Sequence, residues 1–299
     1  MKTLLRSLAA GVCFTALPLF AEMVDTSSGE GGDALGFEFD LQAGYIGEAD
    51  VKHGSNRINN FDERNFLGRF LVLPRTPVGI LRLGAEYEIY DFDVNNFSPI
   101  PDQLQSAAAV IGLDTKFSDS LLIRFESKPG FYFSDEIRGK NFNVPFILGG
   151  TYLYSSTFQI VFGVGVDFES EFPVLPGGGF RWKFAPQWVL NATAPTPRLE
   201  FEVNRNLMLY VGAELRGKTF RVDNDFGDNR GDTRFNDAVV SYREIRTGGG
   251  VMWKLGEACK LSVEGGYMPY RKFDFHRVDI GYQSDGGAPY GALSFNAAF

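Results

Sequence analysis

Apolar and polar residues alternate along most of the chain. Between Phe37 and Tyr45, every second residue is apolar or aromatic, and the residues between them are Glu, Asp, Gln and Gly. The same alternation recurs at residues 81–89, 158–168, 180–184, 199–203 and 207–215. A period of two places successive side chains on opposite faces of an extended strand. The pattern therefore predicts an all-β protein.

The two faces of these strands differ in a way that favours a membrane barrel. The apolar face is uniformly large and often aromatic, whereas the other face mixes glycine with charges of both signs. A lipid-facing wall around a hydrated interior requires this combination. Alternation alone would also suit a soluble, secreted β-sandwich with one solvated sheet face. The sandwich is therefore the last of the alternatives.

Connections between the strands alternate in length. Short turns are predicted at residues 74–77, 118–120, 154–156, 185–187, 204–206 and 256–258. Long polar connections are predicted at residues 48–64, 91–103, 131–142, 217–237 and 271–287. Outer-membrane barrels have short turns at one rim and long loops at the other. We therefore predict a transmembrane, antiparallel, up-and-down β-barrel.

The alternating segments give a count of about fourteen strands. They lie at residues 35–47, 65–74, 79–91, 104–117, 120–128, 143–154, 157–169, 176–184, 187–193, 197–203, 207–216, 239–255, 259–270 and 289–299. The count must be even if both ends of the barrel lie on the same side of the membrane. Pro195 and Pro197 interrupt the stretch 188–203, which is either a hairpin or one bent strand. Twelve strands are the alternative.

The first residues resemble a secretory signal peptide. Lys2 and Arg6 give a basic start, residues 7–20 carry no charge, and Ala21 is a suitable cleavage residue. We therefore expect a signal peptide at residues 1–21, with retention as an N-terminal anchor as the alternative. Residues 22–34 are rich in Ser, Gly and acidic side chains, which predicts a short disordered segment. The barrel would then occupy residues 35–299.

Net charge, cysteine count and phenylalanine content indicate which partners and which environment suit the chain. The formal net charge is −8, and no basic stripe is present, which argues against a nucleic-acid partner. Removal of the signal peptide would leave Cys259 as the only cysteine, so an intramolecular disulfide is excluded. Phenylalanine contributes 29 of the 299 residues, and most of it lies in alternating segments rather than in continuous apolar runs. This abundance suits a lipid-facing surface.

The last alternating segment ends in LSFNAAF, residues 293–299. Together with the basic start and the alternating strands, it resembles a Gram-negative outer-membrane β-barrel protein. Such barrels end in a strand with a C-terminal aromatic residue that the assembly machinery reads. The resemblance implies that Phe299, with Phe295 in phase, is an assembly signal. It also implies export through the periplasm and a monomer in contact with the lipid bilayer, lipopolysaccharide and the barrel assembly machinery.

A second resemblance is narrower. The stretch from Trp188 through PTPRLEFEVNRNLMLYVGAEL, which ends at Leu215, is similar to an uncharacterised barrel family known only as a domain of unknown function. This resemblance is specific for architecture and implies no chemistry.

Charged residues recur on the face opposite the large apolar side chains. We predict a lumen charge ladder of Arg69, Arg82, Glu86, Glu88, Arg124, Glu126, Arg181, Lys183, Glu214, Arg216, Glu244 and Arg246, accompanied by Asp167, Glu200, Glu202, Lys254 and Glu264. Charges at membrane depth must be paired or hydrated. Pairs would stiffen the wall, and hydrated groups would line a polar conduit that screens ions. A fourteen-strand ring is wider than its side chains fill, which favours a hydrated lumen.

One short motif suggests an enzyme. Residues 53–56 read His-Gly-Ser-Asn and resemble the motif of lipid A deacylases, with a related arrangement in outer-membrane phospholipases. The resemblance implies that His53 is the base and Ser55 the nucleophile. However, the motif lies in a predicted Gly- and Asn-rich loop, and its spacing specifies no acid partner. A solvated loop is the preferred interpretation, with the hydrolase as the alternative.

Another motif suggests a calcium site. The segment DNDFGDNRGD places Asp223, Asp225 and Asp228 around a glycine turn, and calcium prefers such oxygen ligands. However, Gly227 comes one position early for an EF-hand loop, and Arg234 stands where the bidentate Glu should be. We therefore interpret the segment as a hydrated loop and expect neither a metal nor a cofactor.

These observations favour a small, passive, porin-like channel for ions or small solutes in the outer membrane. A plugged barrel with a structural or surface-binding role is the first alternative. A lipid hydrolase that uses His53 and Ser55 is the second.

Overall fold

The computed structural model describes residues 35–95 and 97–299 of the chain. The strands are β1 Gly36–His53, β2 Asn56–Leu73, β3 Arg75–Thr76, β4 Gly79–Phe92, β5 Gln103–Ser118, β6 Leu121–Ser127, β7 Gly130–Phe133, β8 Phe142–Asn143, β9 Phe146–Leu153, β10 Phe158–Val166, β11 Val174–Ala185, β12 Trp188–Asn191, β13 Arg198–Asn204, β14 Leu207–Arg221, β15 Val239–Lys254, β16 Cys259–Phe275, β17 Ile280–Ser284 and β18 Ala288–Ala298. Short 3-10 helices lie at Gly139–Asn141, Asp228–Arg230 and Thr233–Phe235. No helix in this part of the chain is long and apolar enough to cross a membrane. The predicted signal peptide at residues 1–21 and the segment 22–34 lie outside the described residues.

The strands form one closed antiparallel barrel. Four pairs of segments, β2 with β3, β6 with β7, β8 with β9, and β17 with β18, each make one interrupted wall strand. Within the described residues the wall therefore has fourteen strands, and each pairs with its neighbours in sequence. The predicted all-β barrel of about fourteen strands is confirmed. The twelve-strand alternative is wrong, because β12 and β13 are separate strands that pair with each other.

The barrel closes between β1 and β18. Leu41 of β1 lies opposite Phe295 of β18, and the register continues from Glu38 to Ile46. At the end of the pairing, the N–H of Phe37 donates to the carbonyl of Phe299 at 3.0 Å, and the N–H of Phe299 donates back at 2.9 Å. β18 pairs with β16 on its other side. The last strand is thus hydrogen-bonded along both edges, and closure leaves no free edge.

Large apolar side chains cover the outside of the barrel. Exposed members include Phe39, Tyr45, Phe66, Phe70, Leu83, Tyr87, Ile111, Phe125, Leu148, Ile160, Phe162, Trp182, Leu209, Val211, Val263 and Leu293. Aromatic residues, among them Phe37, Tyr154, Trp188 and Trp253, lie near the rim with the short turns. A continuous apolar surface of this kind costs free energy in water and is stable in lipid. The fold is that of an outer-membrane β-barrel.

The wall is higher on one side than on the other. β1 and β2 extend to a two-residue turn at Gly54 and Ser55, so the long loop predicted at residues 48–64 is wrong. The loop predicted at residues 271–287 is also largely strand, since β16 continues to Phe275 and β17 follows. By contrast, β10 ends at Val166 and β12 has only four residues. We call the two ends of the barrel the short-turn rim and the long-loop rim.

Candidate functional site

The inward-facing residues form three layers between the short-turn rim and the long-loop rim. The first is a cavity lined by charged and polar side chains, which we call the vestibule. The second is a buried set of ion pairs, the charged layer, which consists of Glu63, Glu86, Glu88, Lys128, Arg216, Lys218, Glu244, Arg246 and Arg271. The third is an apolar cluster, the aromatic plug.

The vestibule has a volume of about 450 Å³ and lies toward the short-turn rim. Its lining carries both signs of charge: Glu38, Asp40, Arg69, Arg181, Arg198, Glu200, Glu202, Glu214, Lys254, Lys260 and Glu264. Polar side chains such as Gln159, Ser262, Ser294 and Asn296 complete it. This surface favours water and dissolved ions over lipid.

On the wall formed by β1, β2, β4 and β6, the charges are buried and paired. Arg69 donates to Asp40 through Nε at 2.8 Å and through Nη2 at 2.6 Å. Arg82 donates to Glu38 at 2.9 Å and to Glu126 at 3.2 Å. Bidentate and shared pairs of this kind fix the side chains in place. This wall of the vestibule is therefore rigid.

The opposite wall, from β11 to β16, is wetter. Lys183 donates to Glu202 at 2.7 Å, and both side chains remain more than a third exposed. Glu264 accepts hydrogen bonds from the hydroxyl of Tyr210 at 2.8 Å and from that of Tyr290 at 2.5 Å. Arg198 lies over the Tyr210 ring, 4.5 Å from its centroid. Exposed pairs hold their partners weakly, so this wall can exchange its contacts with a solute.

The charged layer crosses the lumen. Arg216 of β14 reaches Gln42 of β1 at 3.2 Å, Asn65 of β2 at 3.3 Å and Glu88 of β4 at 3.4 Å. Lys218 of β14 pairs with Glu88 at 2.5 Å. Because these strands lie on different sides of the barrel, the pairs span the interior and obstruct the passage along the axis.

The same layer contains a second group around Glu63. Its carboxylate accepts from Arg271 at 2.8 Å, from Arg246 at 3.5 Å and from the hydroxyl of Tyr242. Arg246 also pairs with Glu244 at 2.7 Å. All four ionic side chains are at most 1% exposed. Buried charges are tolerated only when they are paired, so the group depends on every member.

The aromatic plug fills the barrel next to the long-loop rim. Its buried members are Val51, Phe61, Tyr90, Phe92, Ile100, Leu104, Ala108, Tyr132, Phe220, Val222, Phe226, Phe235, Ala238, Val240, Tyr242, Phe273, Phe275, Ile280 and Tyr282. Most come from the wall, but Ile100 and the segment 222–238 enter from loops. Ring centroids lie 4.9 Å apart for Phe235 and Phe275 and 5.0 Å apart for Phe92 and Phe273. The plug is a packed core, and it closes this end of the lumen.

Residues 80–281 match the protein family described as "Domain of unknown function (DUF6268)". The match covers more than half of the chain. The chain belongs to the DUF6268 family. The predicted resemblance to an uncharacterised barrel family is thereby confirmed. No functionally curated protein matches the chain in sequence.

Among solved structures, the DUF6268 chain is similar to an outer membrane channel of Pseudomonas putida F1, with 7% identity, a TM-score of 0.46, and coverage of 91% of this chain and 100% of that one. It is also similar to the P. putida toluene transporter TodX, with 10% identity, a TM-score of 0.39, and coverage of 88% and 90%. The KdgM porin gives 11% identity, a TM-score of 0.37, and coverage of 88% and 99%. At these values the similarities carry no argument about what this chain does.

The side chains of the predicted lumen charge ladder point into the DUF6268 barrel. They lie in different layers of the lumen. Arg69, Arg82, Arg124 and Glu126 belong to the rigid wall near the short-turn rim, where Arg124 pairs with Asp114. Arg181 and Lys183 lie on the wetter wall. Glu86, Glu88, Glu214, Arg216, Glu244 and Arg246 lie in or beside the charged layer. The expectation of a hydrated lumen stays a prediction, and the vestibule is the part of the described lumen with most room for water.

Sequence reasoning missed several members of the charged layer. Glu63 and Arg271 fall in segments that were predicted as long loops, and Lys218 lies just beyond the predicted end of its strand. Longer strands would have placed Glu63 and Lys218 on the inward face. Arg271 reaches that face only because a β-bulge between Tyr267 and Tyr270 shifts the register of β16. Residues an even number of positions apart share a face of a strand. Glu63 is six residues from Arg69, so the spacing alone indicates that both point inward if the strand continues.

The candidate hydrolase residues lie at the long-loop rim. Nδ1 of His53 donates to the carbonyl of Gly281 at 3.0 Å, and its ring lies 5.6 Å from that of Tyr282. Ser55 is exposed in the adjacent turn. The arrangement gives His53 a backbone carbonyl, rather than a carboxylate, as the acceptor for its ring N–H.

The candidate calcium residues do not converge. Asp223 is buried and accepts from the hydroxyl of Ser134 at 2.7 Å and from two backbone N–H groups of the neighbouring loop. Asp228 accepts from the amide of Asn236 at 2.7 Å. Within the described residues, no group of three or more acidic, His or Cys side chains could hold a metal ion. The Asp223 carboxylate instead joins two loops.

Proposed function

We propose that the chain forms an outer-membrane channel for ions and small polar solutes. The vestibule carries this proposal, because a cavity of about 450 Å³ lined by charges lies inside a barrel coated with apolar side chains. The described conformation is closed, because the charged layer and the aromatic plug fill the remainder of the lumen.

Opening by removal of the plug is costly. Exposure of Val222, Phe226 and Phe235 alone would cost about 5–9 kcal/mol, at roughly 1.5–3 kcal/mol for each buried side chain. Each 1.4 kcal/mol is a factor of ten in population. We therefore expect the channel to open rarely if the loop residues of the plug must move out of the barrel. We expect it to open more often if solutes pass beside the plug.

Planar-bilayer recording of the purified protein tests the proposal. We expect small, intermittent conductance. A second arm uses Lys254→Glu with Lys260→Glu, which reverses two charges of the vestibule and should shift the reversal potential under a salt gradient toward cation preference. Arg234→Glu, on an exposed loop, is the matched control and should shift it less. Absence of conductance at every voltage would overturn the channel.

A plugged barrel with a structural or surface-binding role is the second candidate, and the packed aromatic plug favours it. This candidate requires that the purified protein stays silent in bilayers. It also requires that variants which weaken the plug lose stability without gaining conductance.

The lipid hydrolase is the remaining alternative. Overexpression of the protein should leave lipid A and phospholipid acyl chains unchanged, and His53→Ala and Ser55→Ala should make no difference. Loss of acyl chains that requires both residues would instead establish the enzyme.

We further propose that the chain is a monomer, in contact with the bilayer and lipopolysaccharide, that reaches the outer membrane through the periplasm with the help of the barrel assembly machinery. The apolar outer surface and the aromatic residues near the short-turn rim support contact with lipid.

A further inference from the structure

A second, smaller cavity lies in the low side of the wall. It has a volume of about 50 Å³ and lies beneath the loop 167–173, between β10 and β11. We call it the side cavity. Its lining includes Lys128, Ser170, Phe172, Gly217 and Lys218.

The side cavity adjoins the vestibule. Lys128 and Gly217 line both cavities. Lys128 pairs with Glu86 at 2.6 Å, and Lys218, which lines the side cavity, pairs with Glu86 at 3.4 Å. The partition between the two cavities is therefore formed by the paired side chains of Lys128, Lys218 and Glu86, at the edge of the charged layer. It contains no part of the loop 222–238 that enters the plug.

Ion pairs with partly exposed carboxylates hold the loop above the side cavity. Glu169 accepts from Arg221 at 2.8 Å and from Arg277 at 2.7 Å. Glu171 accepts from Arg243 at 3.2 Å. The two glutamate side chains are about one-third exposed, at 32% and 35%. Pairs with partly exposed carboxylates break more readily than a packed aromatic core.

Little apolar packing holds this loop. Phe172 lies 5.6 Å below the Arg243 guanidinium and lines the cavity, whereas Phe168 points outward and is 69% exposed. Ser170 is buried beneath the loop, and its hydroxyl has no hydrogen-bond partner among the described residues. A buried hydroxyl in this state is best satisfied by water, which indicates that water reaches the side cavity.

We propose that ions and small polar solutes cross between the vestibule and the long-loop rim through the side cavity, beneath the loop 167–173, and not through the aromatic plug. This inference rests on the proposed channel function. Lys128 and Lys218 are then the narrowest point of the route, and movement of the loop 167–173 opens it. In the closed conformation the side cavity has room for a few water molecules only.

Cysteine accessibility in the conducting protein tests the route. Three single-cysteine variants are made in a Cys259→Ser background: Ser170→Cys in the side cavity, Ala238→Cys in the plug and Ser294→Cys in the vestibule. Ser170→Cys is nearly isosteric, so it leaves the loop intact. A cationic methanethiosulfonate reagent is added on the long-loop side of a planar bilayer, and the current is recorded before and after.

We expect the reagent to reduce the current by at least about half in Ser170→Cys and in Ser294→Cys, and to leave Ala238→Cys unchanged. Block of Ala238→Cys without block of Ser170→Cys would place the route in the plug and overturn the inference. Block of Ser294→Cys alone would also overturn it, while the channel function stands. Current that none of the three variants alters would show that conduction bypasses the lumen, and would overturn the channel function itself.

Discussion

The carboxylate of Glu63 and the guanidinium of Arg271 meet at 2.8 Å inside the barrel, and neither side chain is exposed to solvent. Glu63 lies on β2 and Arg271 on β16, and β1 and β18 separate these strands in the wall. The pair therefore joins two wall strands that share no hydrogen bonds. It links β2 to β16 through the interior, on the side of the barrel where the wall strands are longest.

Removal of one partner of this pair should be strongly destabilising. Arg271→Met leaves the Glu63 carboxylate buried without its closest cation, which costs about 3–5 kcal/mol. Denaturant unfolding in detergent measures the loss. Lys52→Met is the control, because Lys52 pairs with Asp285 at the surface with its side chain half exposed, and such pairs contribute at most about 1 kcal/mol. Equal losses in the two variants would contradict the buried role of Arg271.

The plug should support stability rather than gating. Phe235 packs on Phe275 with ring centroids 4.9 Å apart, and Phe235→Ala should cost about 3–5 kcal/mol of unfolding free energy. Phe97→Ala, at an exposed position of a different loop, should change stability by less than about 0.5 kcal/mol. If solutes pass beside the plug, neither variant increases the conductance much. A large increase in Phe235→Ala alone would place the plug on the conduction path.

The sequence pattern predicts the strands that cross the membrane accurately, but it does not predict their extensions beyond the membrane. The reason is physical. Lipid outside and charge inside impose strict alternation, as between Phe37 and Tyr45. Above the membrane the outer face meets water, so residues 56–64 are mostly polar, with Ile58 and Phe61 as the large apolar exceptions, and the regular alternation disappears although the strands continue. This is why the sequence pattern predicts a loop at Glu63.

The plug was equally hard to predict. Phe226 and Phe235 are isolated aromatic residues in a polar segment, and no periodicity distinguishes them from exposed loop residues. Only the closed wall shows that this loop enters the barrel. Pairing across the lumen, such as that between Lys218 and Glu88, likewise depends on barrel closure and has no local sequence signal.

Charge reversal in the loop 167–173 should increase the frequency of opening. Glu171→Arg replaces its pair with Arg243 by repulsion. We expect the open probability in bilayers to rise by a factor of about two to five, which corresponds to up to about 1 kcal/mol for a pair with one partly exposed partner. The exchanged variant, Glu171→Arg with Arg243→Glu, restores the pair with opposite polarity and should return the open probability toward that of the wild type. An exchanged variant that resembles Glu171→Arg would show that the pair itself does not hold the loop.

Acid should loosen the loop that enters the plug. The ammonium of Lys140 and the guanidinium of Arg138 hold the pKa of Asp237 below its ordinary value of 3.8. Because the folded-state pKa is depressed, this stabilisation is complete above the unfolded-state pKa and is lost as the pH falls through the folded-state value. Proteolysis of the segment 222–238 should therefore increase below about pH 4. Asp237→Asn should show raised proteolysis at pH 7 and a weaker dependence on acid; an unchanged acid response would assign the effect to other groups.

Phe299 should matter for assembly more than its packing alone requires. Its backbone closes the barrel through two hydrogen bonds with Phe37, and its side chain is 73% exposed on the outside. Phe299→Lys keeps both backbone bonds but removes the exposed aromatic side chain. If that side chain is read during assembly, the variant should leave little heat-modifiable protein in the outer membrane.

Phe37→Lys changes an aromatic residue of the same rim outside the terminal strand, and Phe295→Lys changes the second residue of the predicted signal. We therefore expect the amounts of folded protein to rank as wild type, then Phe37→Lys, then Phe295→Lys and Phe299→Lys. Folded Phe299→Lys protein at the level of Phe37→Lys would instead show that the lipid contact of the rim, and not a terminal signal, determines assembly.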